Sequence, residues 1–157
     1  MWQVLLIAAA AVALGGLAVL VLLSLLSRRR PRLGVSDGRL LPCSSSPNCV
    51  SSQADDELHR VAPLTYRGTA AGAMAGLKAA LAGLPRARVA GETDAYLHVE
   101  CRTALLRFVD DVEFLIDDAR KVIHVRSASR VGYSDFGANR RRVEAIRAAF
   151  ERGGKPG

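Results

Sequence analysis

The chain has 157 residues, 50% hydrophobic and 24% charged, which is enough for one globular domain plus an appendage. Its 22 Lys and Arg outnumber its 15 Asp and Glu, for a net charge of +7. Every charged side chain follows residue 26, and Arg28, Arg29, Arg30 and Arg32 carry four of the excess positive charges, so residues 33–157 hold only +3. A basic collar beside an apolar segment points to anionic lipid and membrane topology, and nucleic acid is not the expected partner.

In chain order, the first element is a run of 23 residues without a charge, Val4 to Leu26, whose polar side chain is Ser24. As a helix it spans roughly 34 Å at about 1.5 Å per residue, against a hydrocarbon core about 30 Å thick. A cleaved signal peptide is the rival reading, but it carries a basic start and a shorter apolar stretch. Met1-Trp2-Gln3 has no basic side chain, and no small-x-small cleavage site follows Leu26. Residues 1–27 are therefore read as a single-pass anchor in a cell membrane, with the lipid bilayer as partner. The four arginines favour a cytoplasmic domain by the positive-inside rule. The cysteines pull the other way, because Cys43 and Cys49 are spaced to close a small disulfide in an oxidising compartment. Free thiols in a cytosolic loop fit the same spacing, and the reading leans to the cytoplasmic side.

Residues 28–57 read as a basic collar and a Cys/Ser/Pro linker, with Pro31, Pro42, Pro47 and Ser44-Ser45-Ser46 and little periodicity. The folded domain is expected over 58–152, with a flexible tail at 153–157. Residues 58–66 form a short strand that Pro63 confines to an edge. Thr69 caps a helix over 70–82, with Ala70, Met74, Leu77 and Leu81 on one stripe and Gly83 and Pro85 ending it. Short strands follow at 86–90 and 95–102, where Leu97, Val99 and Cys101 alternate with Tyr96, His98 and Glu100. A long strand over 105–117 puts Phe108, Asp110, Val112, Phe114 and Ile116 on one face. A further strand over 121–130 turns Ile123 and Val125 inward and His124 and Arg126 outward. A polar loop leads to a helix over 138–152 with Val143, Ile146 and Phe150 inward.

The order β-α-β-β-β-β-α, with short turns, predicts a mainly antiparallel sheet. Two helices on one face make it an α+β two-layer sandwich. The other sheet face, with Tyr96, His98, Glu100, Arg107, His124 and Arg126, is expected to meet solvent.

The densest polar stretch holds Arg126, Ser127, Ser129, Arg130, Tyr133, Ser134, Asp135, Asn139 and Arg140. Arginines beside a helix N-terminus suit an anionic small molecule, a lipid headgroup or an acidic protein partner. The competing structural reading has Ser134 or Asp135 capping the helix and the arginines paired with Asp110, Asp111 or Glu113, in a network that also includes Arg107. Asp110 lies on an apolar face and needs a partner, which Arg126 or Arg130 can supply. Cys49, with His59 ten residues on, is a candidate nucleophile, as is a nearby serine. Cys101 reads as a core residue. No pair of histidines and cysteines has the tight spacing of a zinc site, and neither a metal nor a cofactor is expected.

Three stretches carry a resemblance: residues 42–53 (PCSSSPNCVSSQ), 107–114 (RFVDDVEF) and 125–140 (VRSASRVGYSDFGANR). Together they resemble the family called domain of unknown function 1499, over roughly residues 40–150. The third stretch is the most specific. The resemblance implies an N-terminal hydrophobic segment and no particular activity. The leading expectation is a membrane-anchored binding or accessory domain. The alternatives are a hydrolase or transferase with a Cys49 or serine nucleophile, and a structural envelope protein.

Overall fold

The computed structural model describes residues 1–153; residues 154–157, most of the expected tail, lie outside the described residues. The first element is helix α1 (Trp2–Leu26), which is long and apolar enough to cross a membrane. Its apolar residues are exposed all round, as a lipid-facing helix requires. Then come β1 (Val35–Ser36), β2 (Arg39–Leu40), β3 (Cys49–Ser51), β4 (Leu64–Thr65), α2 (Ala70–Ala82), β5 (Ala87–Glu92), β6 (Tyr96–Arg102), β7 (Val109–Asp117), β8 (Val122–Ser129) and α3 (Ala138–Gly153).

The main sheet is antiparallel, in the order β3-β8-β7-β6-β5, and β4 pairs with β8 beyond the end of β3. Helices α2 and α3 cover one face, which makes the fold α+β. Thr69 caps α2, its Oγ1 accepting the Gly72 N–H at 3.1 Å. The core collects Met74, Leu77 and Leu81 of α2, Val143 and Ile146 of α3, and Leu97, Val99, Val112, Phe114, Ile123 and Val125 of the sheet. Strand alternation sorts these inward, as the sequence pattern requires.

The stretch read as a linker is part of the fold. β3 pairs with β8 from Cys49 opposite Ala128 to Ser51 opposite Arg126. Residues 34–41 form a hairpin around Asp37-Gly38, both with positive φ, a turn that glycine and aspartate accept. Gln53 ties this hairpin down, its Oε1 accepting the Leu40 N–H at 2.9 Å. Cys43 and Cys49 are joined by a disulfide. Closing so small a loop stabilises by about 2 kcal/mol through the unfolded state. Cys43→Ser is expected to lower the unfolding free energy of the full chain by about that amount in urea titration, and reductant is expected to do the same to the native protein only.

Two strand boundaries and the exposure of one sheet face differ from the sequence pattern. The strand at 58–66 shrinks to Leu64–Thr65, because Pro63 has no N–H and the carbonyls of Ala62 and Pro63 accept from Arg147 instead. The strand at 105–117 starts at Val109, and Arg107 sits at φ 56 inside the β6–β7 loop. Phe108 is therefore half-buried in that loop and does not join the core. The sheet face expected to meet solvent is buried at its centre: His98, Glu100, Asp111 and Glu113 are all covered. The cover is the segment running from the end of α1 through the β1–β2 hairpin. The Gly34 N–H donates to Glu113 Oε1 at 2.7 Å, and β2 lies against β7 and β8.

Candidate functional site

On this second face, β6, β7 and β8 bring carboxylates and cations together. In register, Glu100 faces Asp111, His98 faces Glu113, and Glu113 faces Arg126. Two clusters result. Glu113, fully buried, accepts from Tyr96 Oη at 2.7 Å, from the Gly34 N–H and from Arg126 at 2.8 Å. Asp111 accepts from His98 Nε2 at 2.7 Å and from Arg130 through two nitrogens at 2.7 and 2.6 Å. Arg130 also reaches Glu100 at 2.8 Å and the Ser27 carbonyl at 3.2 Å.

Burial pushes the Asp111 carboxyl up, but the hydrogen bonds from Arg130 and His98 outweigh it and hold Asp111 below its ordinary value. Glu100 is held down in the same way, burial opposing and the Arg130 hydrogen bond prevailing. Burial and the Glu113 contact raise the Tyr96 phenol, so it stays a donor. Asp111 and Glu100 are satisfied by Arg130 and His98, and Glu113 by Tyr96, Gly34 and one Arg126 nitrogen, while Arg126 Nε is buried without a partner among the described residues, so the clusters are built chiefly to hold structure together.

The residues expected to gather as an anion site divide between the two sheet faces. Arg126 and Arg130 belong to the charged face. Ser127, Ser129 and Asn139 lie on the helix side. Asn139 is fully buried; its amide donates to the Asn48 carbonyl at 2.8 Å and to Ser129 Oγ at 3.0 Å, and its oxygen accepts from Ser127 Oγ at 2.7 Å and from Arg142. Asp110 lies here too. Its partner is Arg142 of α3, at 2.5 Å, and neither Arg126 nor Arg130, because those two point to the opposite face.

Asp135 caps α3, accepting the Gly137 and Asn139 N–H groups at 2.9 and 2.6 Å, so a carboxylate already occupies the anion-favouring helix end. Ser134 Oγ accepts the Phe136 N–H at 3.2 Å. Arg140 donates to the carbonyls of Arg60 and Leu58 at 2.7 and 2.8 Å. Tyr133 is exposed.

The nucleophile candidates are engaged elsewhere. The Cys49 sulfur is bonded to Cys43, which removes the thiol that the Cys49 alternative requires. His59 is buried, with Nδ1 at 2.8 Å from Asp56 and Nε2 at 3.1 Å from the Ser46 carbonyl. Burial pushes the free Cys101 thiol up to about 11, which keeps it protonated. Ser52 meets His124 Nδ1 at 3.2 Å while accepting the Val125 N–H at 2.9 Å, so its hydroxyl closes the edge of β8 beyond β3. His124 Nε2 stands 3.9 Å from Asp117, beyond hydrogen-bond range.

The charged face opens at one end of the sheet, where α1 ends. A cavity of about 420 Å³ there is lined by Arg28, Glu100, Arg102, Arg107, Val109 and Arg130. The one carboxylate among these residues, Glu100, is shared by Arg130 and, at 3.6 Å each, by Arg30 and Arg102. Arg28 and Arg107 are exposed, and among the described residues neither has a carboxylate partner. Arg107 was grouped with the paired charges on the sequence pattern; from its loop position at φ 56 it shares the cleft with Glu100 and Arg130 but is itself in none of the ion pairs. The cleft combines residues far apart in the chain, and the sequence signal for it was the basic collar at one side.

The end of α1 is bonded to the same region. Ser24 Oγ donates to the Leu106 carbonyl, and Ser27 Oγ accepts the Val109 N–H at 3.1 Å. No curated protein and no solved structure matches the chain. A family model described as a protein of unknown function (DUF1499) matches residues 39–150, from β2 into the last turn of α3, and leaves α1 and the basic collar outside the match. With so large a share of the sequence matched, the chain belongs to the DUF1499 family.

Proposed function

We propose that this protein is a single-pass, membrane-anchored accessory domain that binds the phosphate-bearing headgroup of an anionic lipid in the cleft of Arg28, Arg102 and Arg107. The observation that carries this reading is the position of the cleft. It lies where α1 meets the sheet, with more guanidinium groups than carboxylates. A headgroup at the bilayer surface reaches that point without leaving the membrane. Retention of α1 is supported by Ser24 and Ser27, both buried against the domain, because a cleaved leader has no reason to bond to the mature fold. The Cys43–Cys49 disulfide favours an oxidising compartment for the domain. Arg30 is partnered by Glu100 and Arg28 lines the cleft, so these collar arginines have roles in the domain besides setting topology.

The test uses the full chain in nanodiscs holding equal phosphatidylglycerol and phosphatidylcholine, with native mass spectrometry of the lipids retained. Preferential retention of phosphatidylglycerol is expected. Arg102→Ala and Arg107→Ala are each expected to weaken it about fivefold, the equivalent of about 1 kcal/mol per basic residue at an anionic surface. A free phosphate ion presents the same chemistry. If inorganic phosphate raises the melting temperature in purely zwitterionic nanodiscs while no lipid is retained selectively, the ligand is the free ion. Equal retention of both lipids, unchanged by either substitution and by phosphate, contradicts the proposal.

A further inference from the structure

The β6–β7 loop runs down the side of α1. Val109 bonds to Ser27, and three residues earlier Leu106 bonds to Ser24. Three helical residues are about 4.5 Å of rise, so the loop descends nearly one turn into the apolar helix before it reverses. Leu105, at its tip, is 90% exposed. It stands level with the last turn of a helix that is apolar over its whole length. Ser24 is a polar side chain at this depth, and the loop carbonyl satisfies it.

A second apolar tip lies at the same end of the sheet. Ser129, the last residue of β8, pairs with Asp110 beside the start of β7, so the β8–α3 loop emerges next to the β6–β7 loop. That loop presents Tyr133 at 76% and Phe136 at 88% exposure. Large side chains this exposed are out of place in water when they share an edge, and aromatic residues favour the membrane interface. Arg28, Arg102 and Arg107 line the cleft at this end of the sheet, as the basic rim of a lipid-facing surface would.

We infer that Leu105, Tyr133 and Phe136 insert into the bilayer that α1 spans, so that the domain rests on lipid at three points beyond its anchor and cannot swing away from the surface. The occupant is the bilayer itself, because the surface is continuous with α1. The inference rests on α1 being in lipid and is independent of headgroup recognition in the arginine cleft.

Single tryptophans test it in the full chain, in a Trp2→Phe background that removes the one native tryptophan. Leu105→Trp and Phe136→Trp are placed at the tips. Asp94→Trp marks the β5–β6 turn at the opposite end of the sheet, and Val12→Trp marks the middle of α1. All four positions are exposed, so the fold tolerates the change. The proteins go into zwitterionic nanodiscs with or without acyl-chain bromine, which quenches tryptophan on contact. Leu105→Trp and Phe136→Trp are expected to lose at least half their emission to lipids brominated near the headgroup. Val12→Trp should be quenched by bromine deeper in the chain, and Asp94→Trp by neither. Tip tryptophans unaffected by bromine while Val12→Trp is quenched overturn the inference alone, and the rim is then left for a protein partner. Loss of quenching at Val12→Trp as well removes the anchor and the inference together.

Discussion

Replacing Asp111 with alanine is expected to destabilise the domain by about 3–5 kcal/mol, because it strands a buried guanidinium without its counter-charge. The Arg130 side chain is 3% exposed and donates two of its hydrogen bonds to Asp111. Glu100 alone remains to balance it, and His98 loses the carboxylate that its Nε2 meets. A domain of this size holds about 5–15 kcal/mol in total, so the variant stands near the threshold of folding. Urea titration of the full chain measures the loss. The surface pair of Asp117 with Arg120 supplies the contrast, since Arg120 is 78% exposed and alanine at Asp117 should cost far less.

The same network sets the response to acid. Asp111 and Glu100 are held below their ordinary values in the fold. Their contribution is therefore complete above the unfolded carboxylate range, about pH 4–4.5, and disappears as the pH falls through the lower folded values. His124 acts in the same direction at higher pH. Burial holds it below 6.5, so below that pH the unfolded chain binds the proton first and gains on the fold. The melting temperature should decline gently below about pH 6.5 and steeply below about pH 4. A melting temperature that rises on acidification contradicts the assignment.

Asn139→Ala is expected to cost about 3–4 kcal/mol, from the loss of four hydrogen bonds at about 1 kcal/mol each in a closed site. Those bonds join α3 to β8 and to Asn48 ahead of β3. Arg142 keeps its Asp110 contact, and the Asn48 carbonyl keeps the Ser129 N–H, so the helix side should not collapse altogether. This outcome separates two roles for Asn139. A ligand-binding asparagine would leave the melting temperature nearly unchanged and lose only binding. The structural role predicts a drop that no added anion restores.

The helix-facing half of the fold could be read from residue pattern. Leu97, Val99 and Cys101 alternate with polar neighbours, and the stripe through Met74, Leu77 and Leu81 has helical spacing behind the Thr69 cap. These are local periodicities, and local sequence carries them. The segment over residues 33–53 was read as a linker because its strands are two or three residues long, too short to show a period. Its order comes from distant partners: Glu113 for Gly34, β8 for Cys49–Ser51, and Gln53 for Leu40.

The charged face was taken for a wet one for the same reason, since nothing near His98 or Glu113 in the chain announces a cover. A signal was nevertheless present. Glu113 and Arg126 are opposite charges on neighbouring strands, and Glu100 and Asp111 face each other with Arg130, just past β8, as their shared cation, a density that a solvated face does not need. The partner of Asp110 was missed because Arg126 and Arg130 were chosen as cations of the paired strand without regard to face, whereas strand parity sends them to the other side and leaves Arg142 of α3 as the reachable cation. The arginine cleft depends on the fold as a whole, on Arg28 from the collar meeting Arg102 at the end of β6 and Arg107 in the loop that follows.

The account stands on α1 remaining attached and docked against the sheet. Intact-mass analysis of the protein recovered from carbonate-washed membranes tests this most directly. The account predicts a chain that still carries residues 2–26 and stays with the lipid pellet. A chain cut after Leu26 and recovered from the soluble fraction would contradict it.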